Sequence, residues 1–414
     1  MRKNLDTWLD AYSARAHNLS VSEVRALFAV VSRPEVVSLA GGMPYVSALP
    51  KDLLRDAYDS MMKSHGDLAI QYGGGQGDLK LRDQTRELMA LEGIRSSVED
   101  IVITTGSQHG LELLSGLFLD KGDVVLAEGP SYVGALGIFR HYEAHVEHVL
   151  TDNDGMIPEA LEAAIKALKA QQRKIKFLYL VPNFANPSGV TLAKSRRAKI
   201  LELCKKNHIL ILEDNPYGLL YFEKPVPDAL RSMDEDGIVY LGSFSKILAP
   251  GFRVGYVLAP PAIRDKLVLA NESAILCPSS FSQMMISSYL AHADWKGQVE
   301  TFRGVYRERR DAALSAMEEY LPNLETTRPD GGFYLWVTLP DGIDSKALLP
   351  LAVKELVAYT PGTAFYGDGT GQNKLRICYS YPTPERINLG IKRLSTVINL
   401  QTELLETFGK KGKK

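Results

Sequence analysis

The sequence predicts an α/β protein: a large domain with a mostly parallel, seven-stranded sheet sandwiched by helices, plus a smaller α+β domain. Three observations carry this expectation. From residue 101 to about 258, short β-branched runs alternate with helix-period segments. One run, Phe177-Leu178-Tyr179-Leu180-Val181, is apolar at every position, as strands buried on both faces are. Near residue 295 the composition becomes highly charged and helical, with Arg303, Arg307, Arg309 and Arg310 close together.

Taken in order, Ile101–Thr105 reads as a strand, followed by a helix with Leu111, Leu113, Leu114 and Leu117 on its apolar face. Strands at Val124–Ala127 and 145–149 flank a helix over about 131–141. Residues 158–170 are helical, with Leu161, Ile165 and Leu168 on one face. After the 177–181 strand come a helix at 194–206 and strands at Ile209–Leu212, Ile238–Leu241 and Val254–Leu258. The charged stretch from Trp295 to Tyr320 reads as a long helix. Beyond Pro329-Asp330-Gly331-Gly332 follow a strand at Phe333–Thr338, a helix, two short strands and a closing helix at about 383–406.

Composition narrows the function. The 414 residues carry 48 Lys+Arg against 49 Asp+Glu, a formal net charge of −1, which argues against a nucleic-acid binder working by bulk charge. Cys204, Cys277 and Cys378 match no metal-binding spacing, and an odd count fits a reducing compartment. The eight histidines form no paired-ligand pattern, so no metal site is expected. The N-terminus has no apolar signal core, and no run approaches 18 apolar residues. The expectation is a soluble, cytoplasmic protein with a pocket-scale function, free of membrane and nucleic-acid partners.

Polar residues fall at strand ends, where open α/β sheets place their ligands. Ser243-Phe244-Ser245-Lys246 follows the strand 238–241, and Arg253 stands seven residues beyond Lys246. Lysine amines form Schiff bases with carbonyl compounds, and hydroxyls with an arginine suit a phosphate. Alone, Lys246 reads as an exposed loop lysine beside a surface arginine. Asp214 ends its strand either as a helix N-cap before Pro216 or as a buried carboxylate suited to a protonated pyridine nitrogen. Asn186 reads as an Asn-Pro turn residue or as a donor to a phenolic oxygen. Gly106-Ser107-Gln108 opens a helix, giving an ordinary cap or an anion site. The glycines of Tyr72-Gly73-Gly74-Gly75-Gln76-Gly77 lack the Lys-Ser or Lys-Thr of a nucleotide loop. His109 and most aromatics read as packing residues.

Together the segments Thr105–Gln108, Asn186–Gly189, Asp214–Tyr217, Ser243–Lys246 and Pro250–Arg253 resemble, in order and spacing, the fold-type I pyridoxal-phosphate enzymes of aminotransferase class I/II. Ser38–Pro44 and Ser22–Arg25 are similar to the 2-aminoadipate and kynurenine aminotransferase branch, shared with archaeal broad-range aromatic aminotransferases. The resemblance implies that Lys246 carries the pyridoxal 5'-phosphate as an internal aldimine and shuttles the proton at Cα. Asp214 would keep the ring nitrogen protonated, Asn186 and Tyr217 would bind the ring oxygen, and Tyr132 would stack on the ring. Ser107, Gln108, Ser243, Ser245 and Arg253 would hold the phosphate, joined by Tyr72 from a neighbouring subunit, so that a homodimer shares its active sites. Arg376, with Asn186, would bind the substrate α-carboxylate. Gly42, Ser22 and Arg25 would line the substrate side, Arg376 and Arg25 reading otherwise as surface charges.

The implied reaction is ping-pong transamination from an L-amino acid to a 2-oxo acid, with 2-oxoglutarate as acceptor. Donors left open are 2-aminoadipate, aromatic, kynurenine-like and branched-chain amino acids. A lyase, racemase or decarboxylase on the same scaffold is the alternative enzyme, and an aminotransferase-like regulator the alternative of another class. The resemblance divides the chain into 1–50, contributing to the small domain, a cofactor domain at 51–294 and a small domain at 295–414.

Overall fold

A computed structural model describes residues 7–17, 19 and 33–409. An eight-stranded sheet forms its centre, in the order β2 (Ile101–Thr104), β9 (Gly255–Leu258), β8 (Ile238–Ser243), β7 (Leu210–Asp214), β6 (Ile175–Leu180), β3 (Val124–Gly129), β4 (His145–Asp152) and β5 (Gly155–Met156). The run β8-β7-β6-β3-β4 is parallel; β9 pairs antiparallel with both β2 and β8. The expected seven strands become eight. Gly155, at φ 88°, closes a tight turn after Asp152, and the two residues Gly155–Met156 return antiparallel on β4. A two-residue strand leaves no periodicity to read.

Both faces of the sheet are buried, which explains the uniformly apolar strands. Alternation in β6 sends Leu178 and Leu180 to one face, against Leu161, Ile165 and Leu168 of the helix Pro158–Ala170 and Ile200 and Leu203 of the helix Lys194–Lys206. Phe177 and Tyr179 face the other way, into a core with Leu111 and Leu114 of the helix Ser107–Phe118 and Phe139 of the helix Val133–His141. Register then aligns the strand ends: Asp214 pairs with Leu241, and Ser243 with Gly255, which also pairs with Thr104.

Two small sheets complete the chain. One, β10 (Tyr334–Thr338), β13 (Lys374–Cys378) and β12 (Thr360–Pro361), is antiparallel. In the other, the early β1 (Val37–Ser38) pairs parallel with the late β11 (Val357–Ala358). The two short strands expected after residue 338 are thus three. The helices Trp295–Tyr320 and Pro384–Gly409 pack against each other beside these sheets. Among the described residues, no helix is long and apolar enough to cross a membrane.

Candidate active site

The carboxyl edge of the large sheet opens into a cavity of about 770 Å³, closed from the other side by Gly42, Tyr334 and Arg376. Lys246 sits on the turn after β8 and donates to the Gly42 carbonyl at 3.0 Å. Its amine lies 5.5 Å from the Phe333 ring and 6.0 Å from the Tyr217 ring. Burial lowers that amine to about 8; Cys378 opposes the shift, and the charges of Arg376 and Arg253 add to it. A lowered amine is a better nucleophile near neutral pH.

Asp214 is the last residue of β7. Its Oδ2 accepts from the Tyr179 hydroxyl at 2.8 Å, while Oδ1 is buried with no partner. Burial raises this carboxyl to about 6, against the Tyr179 hydrogen bond, which lowers it. The N-cap alternative does not hold, because the side chain turns inward to Tyr179 rather than onto the following backbone. Asn186 likewise uses its side chain for more than a turn: Oδ1 accepts from Arg376 Nη1 at 2.6 Å.

Arg376, only 2% exposed, lies in β13 opposite Trp336 and Thr360. Besides Asn186, its guanidinium donates through Nη2 to the Ala40 carbonyl and to Thr360 Oγ1, and it lies 4.4 Å from the Tyr334 ring. Nε is buried without a partner. Two donors therefore remain, Nε–H and one Nη1–H, and a bidentate grip on a carboxylate requires one present contact to give way. The Tyr217 hydroxyl meets the Tyr334 hydroxyl at 3.2 Å. A Cβ on Gly42 would stand 2.1 Å from that Tyr334 oxygen, so only glycine fits where this strap crosses the cavity.

At the other end, Ser107 is the first residue of its helix, leaving backbone N–H groups free at the terminus. Ser243 Oγ accepts from the Ser245 amide at 3.1 Å. Arg253, at φ 52°, reaches the Thr105 carbonyl at 3.4 Å and remains exposed. The Tyr132 hydroxyl donates to Gln108 Oε1 at 3.3 Å.

The structure thus brings the predicted cofactor residues, except Tyr72, into one cavity with Gly42 and Arg376. Tyr72 lies outside that lining and is 77% exposed. Ser22 and Arg25 fall outside the described residues. Sequence reasoning missed Tyr179, Tyr334 and Thr360. A hydroxyl in the otherwise apolar run Phe177–Val181 was the available signal for Tyr179, since a buried hydroxyl needs a partner.

The donor set fits one kind of group. A buried carboxylate oxygen without a partner suits a protonated ring nitrogen, a lysine of lowered pKa suits an aldehyde, and a helix N-terminus with serines and an arginine suits a phosphate. Fold and site define a pyridoxal-phosphate enzyme of the fold-type I class.

The chain belongs to the aminotransferase class I and II family, whose model matches residues 36–394. An aromatic-amino-acid aminotransferase of Thermococcus litoralis is 38% identical over 390 residues, 94% of each chain. A crystal structure of kynurenine aminotransferase from Pyrococcus horikoshii, in complex with PMP, is 39% identical with a TM-score of 0.92, covering 96% of this chain and 99% of that one. The alpha-aminoadipate aminotransferase of Thermus thermophilus, solved with N-(5'-phosphopyridoxyl)-L-leucine, is 33% identical with a TM-score of 0.88, covering 96% of this chain and all of that one. This protein is a pyridoxal-phosphate-dependent aminotransferase.

Proposed function

We propose that this aminotransferase takes the amino group from an L-amino acid with a long or aromatic side chain and passes it to 2-oxoglutarate by a ping-pong route. The donor is a 2-aminoadipate-like, aromatic, kynurenine-like or branched-chain amino acid. The observation that carries the reading is the single cavity onto which Lys246, Asp214 and Arg376 open. Its volume and its apolar lining by Leu19, Val133 and Ile138 support large side chains, and so do the names of the relatives.

When bound, pyridoxal phosphate supplies an electron sink for the pair released at the substrate Cα. Lys246 Nζ would anchor it and, once freed, would take the proton from the substrate Cα and return it at C4′. Asp214 Oδ1 would accept from the ring nitrogen and hold its proton in place. Asn186 Nδ2 and the Tyr217 hydroxyl orient the ring oxygen, Tyr132 covers the ring, and Ser107, Gln108, Ser243, Ser245 and Arg253 bind the phosphate. Arg376 holds the substrate carboxylate. Gly42 closes the cavity over the donor, and Ser22 and Arg25 bear on side-chain choice.

The protein works as a cytoplasmic homodimer, with Tyr72 completing the neighbouring phosphate site. Exposed Leu68, Ile70, Tyr72 and Leu276 support a covered face there. The division into 51–294 and 295–414, with 1–50 joining the latter, is part of the same proposal; the β1–β11 pairing supports it. A donor panel against 2-oxoglutarate, run on wild type and Arg25→Ala, tests the substrate class. Alanine or aspartate outpacing every large donor overturns it, and unchanged donor ratios in Arg25→Ala remove that residue's role.

A further inference from the structure

Behind the cavity lies a buried polar chain that the reaction does not use. Glu92, 4% exposed, follows the helix Leu79–Ala90 and points its carboxyl under the strand ends. Its Oε1 accepts from Asn215 Nδ2 at 2.8 Å, and its Oε2 accepts from the Tyr240 hydroxyl. Asn215 Oδ1 accepts from Asn183 Nδ2 at 3.0 Å, and Asn183 Oδ1 from Arg197 Nη2 at 2.7 Å.

Three of its members, Asn183, Asn215 and Tyr240, belong to different cofactor-bearing segments. Asn183 lies three residues before Asn186, in the loop after β6. Asn215 follows Asp214 directly. Tyr240 stands in β8, three residues before Ser243 and six before Lys246. The fit is close: a Cβ on Gly218 would stand 2.1 Å from Glu92 Oε1, so the loop carrying Asp214 and Tyr217 lies directly on the carboxyl.

We propose that Glu92 is a positioning residue of the cofactor site, tying the loops after β6 and β7 to strand β8 and so setting where Asn186, Asp214 and Lys246 stand. The proposal rests on the reading of the cavity as the pyridoxal-phosphate site. Burying a carboxyl with no directly contacting cation is costly, and an apolar side chain of similar volume would be cheaper to fold around. What the carboxyl offers is two polar atoms at fixed positions, one for the Asn215 amide and one for the Tyr240 hydroxyl. Burial raises Glu92 to about 8, with Glu213 adding to the shift, so it keeps its proton at neutral pH and glutamine is a fair neutral stand-in.

The test compares wild type with Glu92→Leu, Glu92→Gln and Tyr240→Phe. Each is stripped of cofactor and titrated with pyridoxal phosphate, following the visible band that Lys246→Ala abolishes; apo melting temperatures are recorded alongside. Glu92→Leu, which leaves the Asn215 amide and the Tyr240 hydroxyl only each other, at 3.4 Å, weakens cofactor binding about tenfold or more and shifts the band. Tyr240→Phe weakens it about threefold, and Glu92→Gln stays within about threefold of wild type whatever its melting temperature. Wild-type affinity and band in Glu92→Leu overturn the proposal, as does a glutamine variant as weak as the leucine one. Should Glu92→Leu not fold, Tyr240→Phe decides: unchanged affinity and band overturn the role. Failure of the underlying reading is separate, since it shows as a wild-type protein without a Lys246-dependent band.

Discussion

The two walls of the cavity each leave one buried polar atom unpartnered, Asp214 Oδ1 and Arg376 Nε, but differ in how many contacts hold the charged side chain that carries it. On the sheet side, Asp214 keeps one buried oxygen without a partner, and Lys246 has the Gly42 carbonyl as its hydrogen-bond partner. Burial has moved both off their ordinary values, the carboxyl up and the amine down. Across the cavity, Arg376 already donates to Asn186, Ala40 and Thr360 and lies against the Tyr334 and Phe365 rings. The first wall is electrostatically incomplete without a bound group. The second is held in place by the protein itself, so its arginine is oriented before any substrate arrives.

That contrast separates the expected consequences of substitution. The largest is Lys246→Ala, for among the described residues no other lysine lines the cavity. Turnover falls by about four orders of magnitude or more, and the visible absorbance of the bound cofactor is lost. Stopped assays and a spectrum check both; a variant retaining both dissolves the assignment of this wall.

Arg376→Lys comes next. Lysine keeps the charge but loses the planar fork and the three contacts that fix it. We expect kcat/KM for amino donors to fall about a hundredfold, mostly through KM, with cofactor affinity within about threefold of wild type. A comparable loss of cofactor binding would mean that the two walls are not separable.

How much of this was legible in the sequence follows from the range of each interaction. The strand-helix alternation is a local signal, and the strand ends at Asp214 and Ser243 lay within two residues of expectation. Lys246 and Arg253, seven residues apart on one loop, could be paired by spacing alone. The partners that tune the site could not. Tyr179 reaches Asp214 across 35 positions, Asn215 reaches Glu92 across 123, and Arg376 reaches Asn186 across 190, so only the folded sheet brings them together. Tyr72 marks another limit: it stands 77% exposed, and its expected role depends on a second subunit.

An effect on stability rather than on rate gives the finest test of the incomplete wall, and it needs no substrate. Without cofactor, the Asp214 carboxyl titrates near 6 rather than 3.8, so the folded protein holds that proton more tightly than the unfolded chain does. The group's contribution to stability is therefore fully present below about 3.8 and is lost as pH rises through about 6. Moving the carboxyl from 3.8 to about 6 corresponds to roughly 3 kcal/mol. Asp214→Asn still offers an oxygen to Tyr179 and buries an unpaired amide, but that cost does not change with pH. Apo wild type should thus lose up to about 3 kcal/mol relative to apo Asp214→Asn between pH 4 and 7.5, read from urea unfolding at each pH. In holoenzyme a protonated ring nitrogen beside Oδ1 favours the ionised carboxylate and flattens that difference. A difference already flat in the apo proteins would mean that Asp214 is satisfied before the cofactor binds, and that the two walls are alike.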